Sequence, residues 1–207
     1  MKKNKILAAI GILAAIATVS AGAYAYFNGH TAPKVNRFNI VGGDRDIEKG
    51  EIVEPNWNPD NAVDLVPSQT VPKDPQFQSG VNYEAYAFMK VEMPQIRAAL
   101  SPEDEYSYTD AFTFNVNNGW VLVDEKPTTS EGGDHIYLYM YGTDINTPTL
   151  LPANGRTSAL FNEITVPDFA RCQAKSGTLD IEGFSEQSAG VPLATAIADA
   201  KEWATIQ

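Results

Sequence analysis

Between Glu84 and Met93 the chain alternates without a break. Ala85, Ala87, Met89, Val91 and Met93 fall on one face, and Tyr86, Phe88, Lys90 and Glu92 on the other. A period of two belongs to an extended strand and marks a sheet with one better-buried face. Pro94 is expected to end this strand. His135–Tyr141 repeats the pattern, with Ile136, Leu138 and Met140 opposite Tyr137, Tyr139 and Tyr141. Cross-strand aromatic pairs are common, so the tyrosine stripe reads as half-buried against a neighbouring sheet or loop. A ligand-binding face is the sharper reading.

Other segments agree with a β-rich chain. Strands are expected at Val35–Val41, Asp46–Val53, Ala111–Val116, Trp120–Glu125, Leu160–Val166 and Gly177–Gly183. Asn117-Asn118-Gly119 lies between two of these runs, and Asn-Gly between apolar runs signals a hairpin. Asn56 to Pro75 carries prolines at 59, 67, 72 and 75. Proline offers no backbone donor, which leaves room there only for an edge strand near Gln69–Val71. Ser101-Pro102-Glu103-Asp104 has the signature of a helical turn. Leu193, Ala196, Ile197, Ala200 and Trp203 recur at helical spacing, so Leu193–Ala204 reads as an amphipathic helix. The expected class is all-β: an antiparallel β-sandwich of jelly-roll type with a C-terminal amphipathic helix.

The N-terminus begins Met1-Lys2-Lys3-Asn4-Lys5, continues with an apolar run to Ala25 and closes on Ala23-Tyr24-Ala25. Those are the three parts of a secretory signal peptide. A retained membrane anchor is the competing reading, because the run is about long enough to cross a bilayer. The flanks favour cleavage between Ala25 and Tyr26. The expected organisation is a signal peptide over 1–25, an extended arm over 26–34 and one domain over 35–207. Cleavage removes three lysines and no acids, which takes the net charge from −11 to −14. Such a charge opposes nucleic acid and anionic lipid, so contact with membrane is expected only through the uncleaved signal.

Catalytic chemistry is sparse. The single cysteine, Cys172, forbids an internal disulfide and is expected to be a small buried hydrophobe. His30 and His135 are the two histidines, and neither belongs to a His-Glu-x-x-His helix that would hold zinc. No nucleophile elbow or phosphate-binding loop is present. No cofactor, metal or catalytic residue is assigned. Asn56-Trp57-Asn58-Pro59-Asp60-Asn61 could offer oxygens to calcium, although Asx-type turns explain the same residues.

Several blocks carry a resemblance. They are Ala23-Tyr24-Ala25-Tyr26-Phe27, Asn36-Arg37-Phe38-Asn39-Ile40-Val41-Gly42, and Glu54-Pro55-Asn56-Trp57 through Leu65-Val66-Pro67 and Val71-Pro72-Lys73-Asp74-Pro75. Further blocks are Ala85–Pro94, Leu160–Pro167 and, loosely, Ala200-Lys201-Glu202-Trp203. The chain resembles the TasA/camelysin family of SipW-dependent secreted proteins of Gram-positive bacteria. For the TasA branch the resemblance implies a jelly-roll matrix protein that assembles into biofilm fibres. The camelysin branch carries a metalloprotease label.

The expectation is therefore a secreted, non-enzymatic structural protein of the extracellular matrix or cell surface. It would form a head-to-tail homopolymer, with other matrix proteins as further partners. Its assembly device would be the N-terminal arm, donated as an added strand with Tyr26 and Phe27 as apolar anchors. A disordered terminus competes with that device. The competing functions are a camelysin-like cell-surface metalloprotease and a monomeric binding module.

Overall fold

The computed structural model describes residues 50–128, 133–173 and 177–206, together with the backbone of 28–30. The expected strand at 35–41 and the first part of the one expected at 46–53 lie outside those residues.

The described chain is all-β, built from antiparallel sheets, with one C-terminal helix. Its strands are β1 (Asn28–His30), β2 (Glu51–Val53), β3 (Thr70–Pro72), β4 (Gln76–Gln78), β5 (Ala85–Ala99) and β6 (Ser107–Asp110). They continue with β7 (Trp120–Lys126), β8 (Asp134–Asp144), β9 (Thr147–Pro148), β10 (Glu163–Thr165), β11 (Arg171–Gln173) and β12 (Asp180–Gln187). Helix α1 spans Leu193–Trp203. The main sheet runs β1-β12-β5-β8-β7, so β1 and β7 are its edges. Two small sheets, β2 with β4 and β3 with β10, lie outside it.

Strand β5 is the spine, and both of its faces are buried. Ala87, Met89, Val91 and Met93 enter a core that also holds Phe77, Phe161, Leu160 and Tyr139. Tyr86 and Phe88 enter a second core with Leu138, Met140, Phe184 and the α1 alanines Ala196 and Ala200. The alternation in β5 suggested one buried face because Lys90 and Glu92 share a face with Tyr86 and Phe88. Instead α1 covers that face, and Phe184 stacks on Trp203 at 5.4 Å between ring centres. Lys90 is tolerated there because it pairs with Glu92 at 2.8 Å and Glu182 at 3.2 Å. Each large apolar side chain buried this way contributes about 1.5–3 kcal/mol.

Pro94 does not end β5. Residues up to Glu92 pair with β12 and those up to Pro94 with β8. From Gln95 the partners become β6 and β11. Proline therefore sits where the neighbours change and its missing N–H leaves no gap in a ladder. Its carbonyl accepts from the Ala111 N–H at 2.8 Å. The position of Gly183 in β12 has a steric cause: a Cβ there would lie 2.6 Å from Cδ2 of Phe77.

Two further expectations are corrected. Residues 111–116 form no hairpin with β7. The amide and carbonyl of Thr113 pair with Thr165, and the Asn117 N–H bonds to the Leu160 carbonyl. Phe112 and Phe114 drive this outcome by packing onto the first core, and Phe114 stacks on Phe161 at 4.5 Å. Residues 101–104 form a single turn, with the Asp104 N–H on the Ser101 carbonyl and the Ser101 N–H on the Asp104 carboxylate. Cys172 is exposed on β11, a short strand that covers no core.

Candidate assembly site

The expected cleavage point, Ala25 and Tyr26, and the expected anchors, Tyr26 and Phe27, lie outside the described residues. Part of the arm is described. β1 adds to β12 antiparallel, with Asn28 opposite Glu186, Gly29 opposite Ser185 and His30 opposite Phe184. Residues far apart in sequence thus meet at the sheet edge, and backbone groups supply the register.

The receiving strand is polar in an unusual way. Ser185 and Glu186 are buried, at 0% and 1% exposure. Ser185 Oγ, Glu186 Oε2 and Gln187 Oε1 have no hydrogen-bond partner among the described residues. Buried polar atoms normally find partners, so their concentration on one strand sets it apart from the rest of the sheet. Burial pushes the Glu186 carboxyl up to about 7, helped by the Asp199 carboxylate on α1 and a hydrogen bond with it.

The opposite edge is built differently. β7 pairs with β8 through a register shift between Leu122 and Asp124, and it carries Asp124, Glu125 and Lys126 in succession. Bulges and charges blunt a sheet edge against further pairing. Asp124 is held by Lys201 at 2.8 Å, and Lys126 reaches the Thr205 carbonyl at 2.8 Å. The hydrogen bond to Lys201 holds the Asp124 carboxyl below the usual range.

Two more polar clusters lie elsewhere in the fold. Asp110 accepts from Gln95 Nε2 at 2.6 Å and Tyr137 Oη at 2.5 Å, and faces His135 Nδ1 at 3.1 Å. His135 Nε2 is buried and faces Glu125 Oε2 at 3.6 Å. An aspartate orienting a histidine is half of a hydrolytic triad, but here the outer nitrogen faces a carboxylate rather than a hydroxyl. Burial and the neighbouring Asp110 hold the Tyr137 phenol far above its ordinary value, so it stays protonated. The tyrosine stripe lies against the first core, with Tyr139 buried and Tyr137 and Tyr141 half-buried.

The second cluster accounts for residues that carried the family resemblance. Lys73, 1% exposed, pairs with Glu54 at 2.7 Å and lies 4.3 Å from the Trp57 ring centre. Asn56 donates its backbone N–H and its side-chain amide to the two oxygens of Asp74, each at 2.8 Å. Asn58 caps the short turn Pro59–Ala62 by accepting from the Asp60 N–H. These side chains clasp two loops together. Among the described residues no group of three or more His, Cys, Asp or Glu is placed to hold a metal.

No family model, curated protein or solved structure matches the chain. Among the described residues no helix is long and apolar enough to cross a membrane.

Sequence reasoning named the arm but missed Glu186, Asp199 and the Asp110–His135 cluster. His135 and Tyr137 stand two apart on one strand, which signals a shared face. The partner Asp110 lies on another strand, and nothing local points to it.

Proposed function

We propose that this chain is a secreted structural subunit, with a jelly-roll-type fold, that assembles into extracellular biofilm matrix fibres. The observation that carries the reading is the pairing of β1 with β12. A three-residue strand gains few backbone bonds from its own edge, so an identical arm from another subunit can replace it at little cost. Such an exchange is head-to-tail and does not close on itself, which yields a filament. The contrast between the edges supports one direction of growth, because β7 is bulged and charged. The signal-like residues 1–25 add a reason for timing, since cleavage at Tyr26 would free the arm only after export.

The test compares mature protein starting at Tyr26 with a version starting at Pro33. Light scattering and electron microscopy should show filaments from the first and roughly tenfold fewer from the second. Equal filament yield from both overturns the strand exchange, and a monomeric mature protein overturns the fibre reading. Mass spectrometry of native secreted material should give Tyr26 at the N-terminus, and a form still starting at Met1 contradicts the processing. Chelator-sensitive casein cleavage by the purified mature protein would instead favour the protease reading.

A further inference from the structure

Beyond Pro94, strand β5 carries a small sheet of its own, with β6 on one side and β11 on the other. Arg97 stands opposite Tyr108 of β6 and Gln173 of β11, so the three share a face. Arg171 is two residues from Gln173 and joins that face. The Arg171 guanidinium lies 4.9 Å from the Tyr106 ring centre, and that of Arg97 lies 5.9 Å from the centres of Tyr106 and Tyr108. Arg97 and Arg171 are exposed, and Leu100 at the same tip is 69% exposed.

This face is anomalous for a chain with 26 acids and 15 lysines and arginines. Lys73, Lys90 and Lys201 each pair with carboxylates. Among the described residues Lys126, Arg156, Arg97 and Arg171 pair with none; Lys126 and Arg156 bond elsewhere to a carbonyl and to an amide oxygen, whereas Arg97 and Arg171 share one face. Arg171 instead donates to the Asp104 carbonyl. Two guanidiniums without carboxylates, two tyrosines and an exposed leucine make the composition of a protein-binding hot spot.

We propose that this Arg97/Arg171/Tyr106/Tyr108 face is a second docking surface for another copy of the same chain, seating carboxylates of that copy. The inference rests on the fibre reading above. Two observations select the occupant. The first is charge: another copy of this acidic chain supplies carboxylates in excess, and like-charged subunits need such a local attraction to stay in contact. The second is direction. With Asn28 opposite Glu186 and His30 opposite Phe184, β1 points toward the Asp180 end of β12. Asp180 stands opposite Glu92, and β5 continues from there to Arg97. An arm donated by a second copy in this register therefore points toward the side where the arginine–tyrosine face lies, about 30 Å along β5 from Phe88.

The experiment uses full mature protein in three forms: parent, R97E/R171E and L100E. Filament formation is followed by light scattering and counted by electron microscopy, and folding by circular dichroism. The expected result is that both variants remain folded monomers and lose filament yield at least tenfold. L100E keeps the test decisive if the double variant fails to fold, because Leu100 is largely exposed. Parent filaments with undiminished yield from folded variants overturn this docking surface and leave the strand exchange standing. Absence of parent filaments overturns both.

Discussion

Glu186 on β12 hydrogen-bonds to Asp199 on α1, which joins the strand that receives the arm to the helix that covers the second core. Glu186 is 1% exposed, and burial raises its carboxyl from 4.5 to about 7. The folded state therefore holds a proton that the unfolded state releases between those values. Stability from this group is fully present below pH 4.5 and is lost as pH rises toward 7. Asp134, raised by burial and by Glu92 and Asp180, acts with the same sign. Resistance of the parent to urea should thus weaken between pH 5 and pH 8. Glu186→Gln should remove up to about 3 kcal/mol of that dependence. An identical pH slope in parent and variant would show that Glu186 titrates normally.

Lys73 and Glu54 form a buried pair, at 1% and 4% side-chain exposure. Lys73→Met keeps most of the volume beside Trp57 but strands the Glu54 carboxylate. Removing one member of a buried pair costs about 3–5 kcal/mol, whereas removing both is often near neutral. The single variant should melt well below the parent, and Glu54→Gln with Lys73→Met should recover most of the loss. A single variant as stable as the parent would mean that water relieves the carboxylate.

The β character of the chain was legible because alternation in β5 and β8 is long and unbroken. The α1 stripe was legible for the same reason, its apolar residues recurring at helical spacing. What failed depended on distant partners. Pro94 reads as a terminator only for a strand that keeps the same neighbours throughout, and those of β5 change there. Asn118-Gly119 looked like a hairpin turn, yet Phe112 and Phe114 gain more by packing onto the first core than residues 111–116 would gain beside β7. Cys172 looked buried because cysteine usually is, but β11 is three residues long and all three are exposed. The pairing of residues 28–30 with Phe184–Glu186 was not legible, since no local pattern in 177–191 announces a receiving edge.

Cys172 should react with a thiol reagent in the native state. Partial burial pushes the thiol up, so the reactive thiolate is scarce at pH 7. The labelling rate should rise nearly tenfold per pH unit from 7 upward, without denaturant. Labelling that requires denaturant would contradict the exposure of β11.

The edge formed by β7 is expected to be held back from pairing by its charges as well as its bulge. Asp124 and Lys126 bond to Lys201 and to the Thr205 carbonyl, contacts near the surface that contribute about 0–1 kcal/mol each. Replacing both by valine therefore leaves the fold nearly as stable while raising β propensity and removing charge from an edge. In protein starting at Pro33, which lacks the arm, Asp124→Val with Lys126→Val should produce aggregates that bind an amyloid dye. The same truncated protein with Asp124 and Lys126 intact should remain clear. Equal clarity in both would show that the register shift between Leu122 and Asp124 is enough by itself to close this edge.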